Sequence, residues 1–371
     1  MRIAQIAPLY ESVPPRMYGG TERVVANLCD ELERRGHEVT LFASGDSSTR
    51  ARVHPGYPTS LRTCGLDRFG PAFHLPMLNE VLEAANRFDL VHFHIDYWSF
   101  PFQRMMSVPT VATMHNRMDV PELGWLYRYY RELPLVSISN AQRRPLLDLK
   151  WVRTIYHGLP EEKWTFSPGP GKYLAFLGRF APEKRPDVAI EIARRSGIPL
   201  KMAAKIDRVD QEYFDAVVKP LLSTPHVEYV GEIGERDKQQ FLGEALALLF
   251  PIDWPEPFGL VMIEALACGT PVIARPCGSV PEVLKNGITG FISADVNGLV
   301  DAARRVDQLS RRLIRLEFEK RFSATTMAQR YEQLYYDLVR NQRHQPTGEL
   351  ELHASNGIGS DGLITDATDN L

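Results

Sequence analysis

Strand-like and helix-like patterns alternate along nearly the whole chain, and this alternation constrains the fold more than any other feature of the sequence. In the first half the β-rich runs are IAQIAPL, EVTLFAS, DLVHFH, PTVATMH, LVSIS and RTIYH, separated by helix patterns such as TERVVANLCDELERRG and LPMLNEVLEAANR. The second half restarts with KYLAFLGR and runs through PLKMAAKI, VEYVGEI, ALLFPI, TPVIA and TGFIS. Strands joined by helical crossovers pair in parallel, and helices then cover both faces of the sheet. A Pro/Gly-rich stretch, SPGPGKY, breaks the alternation near the midpoint. The expectation is an α/β protein with two doubly wound domains over residues 1–165 and 166–322. A helix over 323–343 follows them, and then a tail over 344–371. The tail holds Glu349, Glu351, Asp361, Asp366 and Asp369 without Lys or Arg, lacks apolar periodicity and reads as disordered.

Composition excludes several function classes. Net charge is −3, with 44% hydrophobic and 24% charged residues, so there is no nucleic-acid footprint. No run approaches transmembrane length, and MRIAQIAPLY reads as a first strand rather than a signal peptide. Cys29, Cys64, Cys268 and Cys277 are scattered without a CxxC pair. Cys29 and Cys268 fall in apolar helix patterns as buried, reduced thiols, which implies a reducing cytoplasm.

The stretch EPFGLVMIEALACGTPVIA carries the most informative chemistry. It reads as loop, buried helix, stop and strand, with Gly269 ending the helix and Pro271 barring its continuation. Glu264 then sits in a dry place, costly without a partner, which is either a salt-bridging Arg or Lys or a hydroxyl-bearing ligand. Glu256, held between Pro255 and Pro257, is worth only about 0.3–1 kcal/mol as a plain helix N-terminal carboxylate. Eight helical residues advance about 12 Å, against the roughly 5–5.5 Å of a retaining glycosidase pair. The two carboxylates therefore look like two grips on one long ligand. Backbone N–H groups at Phe258, Gly259 and Leu260 open the helix and suit a phosphate.

Cations follow in FLGRFAPEKRPDVAIEIARR, where Arg179 and Lys184 flank a turn at a strand's carboxyl end and suit a diphosphate. MYGGTERVVANL places Gly19 and Gly20 in a tight loop before a helix. His92, His94 and Asp96 in HFHIDY match an H-x-H-x-D metal pattern, and alternation would put all three on one strand face. No further His or Cys cluster completes it, so no metal is expected. His92 reads as a satisfied core histidine, and His94 as a cleft residue. His115, ending PTVATMH, is a second cleft candidate.

Taken together these residues resemble glycosyltransferase family 4, the retaining nucleotide-sugar enzymes of GT-B fold, over about residues 1 to 340. The E-x7-E pair of Glu256 and Glu264 is the most specific element, and GRFAPEKR, GGTERVV and His115 follow the family pattern. The resemblance implies two Rossmann-like domains, the first for acceptor and the second for donor, with the last helix packing back on the first. It implies that Arg179 and Lys184 neutralise the donor diphosphate and that Glu264 binds ribose. By the same analogy Glu256 lies at the sugar, as does His115, with the Phe258, Gly259 and Leu260 amides also facing the donor. The Gly19–Gly20 loop would pack near phosphate and acceptor, and Gly231, Glu232 and Ile233 would hold the base. Many relatives carry a Gly-rich turn where this chain has AAKID, which makes Lys205 a further donor contact. The implied reaction is front-face hexosyl transfer without metal or other cofactor, with UDP-glucose the first donor because such donors are common in the family. The acceptor, a sugar, lipid or small molecule, is not legible. His94, Asp96, Tyr97, Arg117 and Asp119 are candidates for it, as are Trp98, Trp125 and Tyr129. Arg128, Arg131, Arg143 and Arg144 leave a weak peripheral membrane contact open. Two rival readings remain: a nucleotide-sugar 2-epimerase of the same fold, and a non-catalytic nucleotide-sugar-binding protein.

Overall fold

In the computed structural model of the chain, residues 1–17 and 19–343 are described. The acidic tail expected over 344–371 lies outside them. Among the described residues thirteen strands form two parallel sheets. The first takes β1 (Arg2–Ile6), β2 (Glu38–Ser44), β3 (Arg52–Tyr57), β4 (Leu90–Phe93), β5 (Thr110–Thr113), β6 (Leu135–Ser137) and β7 (Trp151–Thr154). The second takes β8 (Tyr173–Arg179), β9 (Leu200–Lys205), β10 (Val227–Gly231), β11 (Ala245–Phe250), β12 (Val272–Ala274) and β13 (Gly290–Ile292). Their orders are β3-β2-β1-β4-β5-β6-β7 and β10-β9-β8-β11-β12-β13.

Central strands such as LVHF and TVAT are buried at every position, as expected where helices cover both faces. β3 has no counterpart in the sequence reading. Its residues, RVHPGY, are exposed or half-buried and show no apolar alternation. It is an edge strand, where Pro55 removes no interior ladder bond.

Each order reverses once, between β1 and β4 and between β8 and β11. At such a reversal neighbouring crossovers leave in opposite directions and open a crevice at the strands' carboxyl ends. The helix Gly20–Arg34 follows β1, and the helix Leu260–Ala267 follows β11, so both sit at these points.

The chain crosses between the halves twice at one place. Leu159 N–H donates to Phe322 O at 2.9 Å, and Ala324 N–H donates to Leu159 O at 2.8 Å. The helix Ala324–Arg343 then packs on the first half. Its Met327, Tyr331, Leu334 and Tyr335 join the core of Ile3, Val25, Leu28 and Leu32. Each large side chain so buried contributes about 1.5–3 kcal/mol, which holds this distant segment in place.

Candidate active site

The two crevices join into one cleft of about 830 Å³. On the second sheet's side, Leu260–Ala267 is apolar almost all round and buried from Met262 to Ala267. Gly259 begins it at φ 78, and a Cβ there would lie 2.9 Å from Met262 and 3.1 Å from Phe250. A side chain there would be strained and crowded, so glycine shapes this helix start on the cleft wall. Gly278, at φ +56, lies so close that a Cβ would meet the Glu256 backbone at 2.3 Å. Ser279 N–H donates to Glu256 O at 3.0 Å, which fixes the loop carrying that carboxylate.

Glu264 is 2% exposed. Both its oxygens are taken by the Lys238 ammonium, at 3.0 and 3.3 Å. The partner that a dry carboxylate requires is therefore a lysine of the helix Glu235–Gly243, and both residues line the cleft. Glu256 is held through one oxygen, Oε2, by the Trp254 indole N–H at 3.1 Å and by Lys184 Nζ. Lys184 also stands 4.6 Å over the Trp254 ring. Arg179 ends β8 and pairs with Glu183 at 2.6 Å and with Asp210 at 3.0 Å. Lys205, at the end of β9, lies 3.5 Å from Asp207. Phe258, Gly259, Leu260, Ile233 and Glu232 complete this wall. Gly231 ends β10 at φ 83, one residue short of the lining.

The first sheet supplies the opposite wall. Gly19 and Gly20 line it before the Gly20–Arg34 helix, where Leu260 approaches within 3.4 Å of the position a Gly20 Cβ would take. Arg23 on that helix pairs across the cleft with Glu235, so the halves touch through charge as well.

β4 ends at Phe93, so the three HFHIDY side chains do not share one strand face. His92 bonds Tyr335 Oη and Thr113 Oγ1 and is a core histidine. His94 lies 2.8 Å from His115, and the His115 ring stacks on His157 with centroids 5.3 Å apart. Burial pushes His115 down to about 3 and holds His92, His94 and His157 well below the usual range, so all four are neutral. Asp96 follows in a turn with φ 50, an uncommon backbone for a non-glycine residue. Asn116 Nδ2 donates to one of its oxygens, and the other has no partner among the described residues. Burial pushes this carboxyl up to about 6. Among the described residues no group of three or more His, Cys, Asp or Glu could hold a metal ion.

Tyr97, Trp98 and Arg117 line the same wall, whereas Asp119 pairs with Arg117 at 2.6 Å and lies off it. Trp125 is 72% exposed and stacks on Tyr129, away from the cleft. Sequence reasoning missed Trp254, Lys238, His157 and Glu22, all on the lining. Trp254 stands two residues before Glu256, and His157 lies just past β7 as His115 lies just past β5, so both were within reach of the same rules. Lys238 carried no signal, because its partner is 26 residues away on another helix.

Two family models match the chain, one toward each half. Residues 18–176 match the family model Glycosyltransferase Family 4, and residues 161–325 match Glycosyl transferases group 1. N-acetyl-alpha-D-glucosaminyl L-malate synthase of Bacillus anthracis is 24% identical over 88% of this chain and 96% of its own length. Glycogen synthase of Mycobacterium tuberculosis is 26% identical over 95% and 99%. The crystal structure of Anabaena HepE with UDP and glucose superposes with a TM-score of 0.70 at 18% identity, covering 91% of this chain and 100% of that one.

Proposed function

This chain belongs to the family 4 glycosyltransferases of GT-B fold, and on that premise we propose that it transfers a hexosyl residue from UDP-glucose to a hydroxyl acceptor with retention and without a divalent metal. The observation that carries this reading is the meeting, in one cleft, of Lys184, Arg179, the free N–H groups before Leu260, and the carboxylates Glu256 and Glu264. The cations and amides suit a diphosphate, and the two carboxylates suit hydroxyls at its two ends, sugar and ribose. HepE, of the same fold, is described with UDP and glucose, which supports that donor as the first to try.

In this reading the C1–oxygen bond breaks with its electron pair moving to the diphosphate. Lys184 and Arg179 stabilise the negative charge gathering there, and the helix N–H groups donate to the same oxygens. Each cation already faces carboxylates, so the diphosphate enters in place of Glu183, Asp210 or Glu256 as counter-charge. Lys238 supplies the counter-charge of Glu264 in its dry position, where the carboxylate can accept ribose hydroxyls. Lys205 is placed to approach the diphosphate, and Glu232 and Ile233 to meet the base. Glu256 and His115 face the sugar from opposite walls. The attacking hydroxyl comes from the side of Asp96, Tyr97 and Arg117, and its proton leaves with the phosphate oxygen on the same face.

All four cysteines are free, and Cys29 and Cys268 are buried, which supports a reducing, cytoplasmic setting. No helix among the described residues is long and apolar enough to cross a membrane. The test is a hydrolysis and transfer screen over UDP-, GDP- and ADP-sugars, with the product anomer read by NMR. Inversion at C1, or turnover that requires Mg²⁺, overturns this reading. Conversion of the donor to its 2-epimer without acceptor selects the epimerase instead, and no turnover of any donor selects the binding protein.

A further inference from the structure

Behind His115 a file of buried polar side chains runs from the cleft to the C-terminal helix. His115 Nε2 lies 2.8 Å from His94 Nδ1, and His94 Nε2 lies 2.8 Å from Gln5 Oε1. Gln5 Nε2 donates to Tyr335 Oη at 3.0 Å. Tyr335 Oη lies 2.7 Å from His92 Nδ1, and His92 Nε2 lies 2.8 Å from Thr113 Oγ1. Gln5, His92, Thr113 and Tyr335 are fully buried, and His94 is 2% exposed.

With the Gln5 amide oxygen turned toward His94, the file runs in one direction. A carboxamide oxygen only accepts, so His94 Nε2 carries the proton. His94 is neutral, so its Nδ1 is a lone pair and accepts from His115 Nε2–H. His115 is neutral as well, which leaves its Nδ1 bare, and that atom is buried without a partner among the described residues. On the other side the carboxamide nitrogen only donates. Tyr335 Oη therefore accepts from Gln5 and passes its own proton to His92 Nδ1, and His92 donates onward to Thr113. Turning the Gln5 amide over would reverse every bond and put a proton on His115 Nδ1.

We propose that Gln5 and Tyr335 are positioning residues for the transfer step, holding His115 in the Nε2–H tautomer so that the ring beside the donor sugar carries a bare, buried Nδ1. Positive charge develops on the sugar ring as the C1–oxygen bond breaks. A lone pair on the ring beside that charge stabilises it, and an N–H dipole in its place opposes it. The helix Ala324–Arg343 thus reaches the chemistry through one hydroxyl, although Tyr335 itself is off the cleft wall.

The test uses the full chain labelled with ¹⁵N on histidine, with the His115 signals assigned by their loss in His115→Gln. The expected wild-type spectrum has His115 protonated on Nε2 and bare on Nδ1. Tyr335→Phe keeps the ring and removes the hydroxyl, and Gln5→Met keeps the bulk and removes the amide. In both, His115 becomes a mixture of tautomers. With the best donor of the screen, kcat then falls roughly three- to tenfold, the worth of one ordinary hydrogen bond, while affinity for the free nucleoside diphosphate is unchanged. A wild-type His115 protonated on Nδ1, or an unaltered tautomer in both variants, overturns the proposal. So does a shifted tautomer with unchanged kcat. If neither variant folds, the wild-type spectrum decides. The kinetic arm rests on the donor-site reading, and the spectroscopic arm does not. An unaffected kcat in His115→Gln would therefore refute that site reading and leave the tautomer assignment standing.

Discussion

Glu264→Gln and Glu256→Gln keep the side-chain shape and remove one charge each, yet the structure makes them fail differently. Glu264 is 2% exposed and gives both oxygens to Lys238, whose side chain is 19% exposed. The glutamine retains one acceptor for the ammonium, and the lysine can turn partly toward the cleft. The loss of stability should therefore fall below the roughly 3–5 kcal/mol of a stranded buried charge, at about 1–3 kcal/mol. At about 2–4 °C per kcal/mol for a domain of this size, that lowers Tm by several degrees. Hydrogen bonds to a charged group are worth about 1.5–3 kcal/mol, so nucleoside diphosphate affinity should drop roughly ten- to a hundredfold. In Glu256→Gln the amide oxygen can keep the Trp254 N–H bond, while Lys184 loses its counter-charge and becomes more available to the diphosphate. Affinity for the free nucleotide should hold or rise, and the loss should fall on kcat, because Glu256 is proposed to act at the sugar. Calorimetry with the nucleoside diphosphate, beside kcat at saturating donor, separates the two. An equal drop in nucleotide affinity in both variants, or none in either, refutes the two-grip assignment.

If Arg179 and Lys184 carry the phosphate charge as proposed, activity should survive chelation of divalent metals. A complete loss in EDTA that Mg²⁺ or Mn²⁺ restores would contradict this. Ending the chain after Gln345 should leave folding and turnover nearly unchanged. Removing Ala324–Arg343 as well should unfold the first half, because Tyr331 and Tyr335 are fully buried in its core. Equal tolerance of the two truncations in thermal melts would oppose that partition. Burial raises the Glu22 carboxyl from 4.5 to about 7, so between those values the folded chain holds a proton that the unfolded chain has released. Stability from this group is therefore lost as pH rises through that window. Glu22→Gln removes the effect, and above pH 7 it should be more stable than wild type by about 3 kcal/mol, with no such gain below 4.5. Urea midpoints on both sides of the window check this, and a gain independent of pH would refute it.

Much of the site was legible because its markers are local. Gly259, Glu256 and Glu264 fall within one loop–helix unit, and Arg179 and His115 stand at or just beyond strand ends, where a parallel sheet presents ligand-binding groups. β3 was not legible, since an edge strand with no fully buried residue needs no apolar alternation and RVHPGY has none. The expectation that His92, His94 and Asp96 share one strand face failed for a different reason. Spacing gave two histidines and an aspartate in register, but the strand stops at Phe93 and the backbone turns at Asp96.

The sequence by itself determined the winding of two parallel sheets, the place where the chain passes from one to the other, and the placement of the carboxylates on one loop–helix unit and of the cations at or just past a strand end. Each of these follows from periodicity and from turn or cap residues within a few positions of one another. The tertiary structure alone decided what those groups face. Lys238 meets Glu264 from a separate helix, Arg23 reaches Glu235 from the other half, and Tyr335 closes on Gln5 from 330 residues away. A side chain's charge can be read from its type. Its counter-ion, its burial and, for a neutral imidazole, the nitrogen that keeps the proton depend on neighbours that only packing brings within reach.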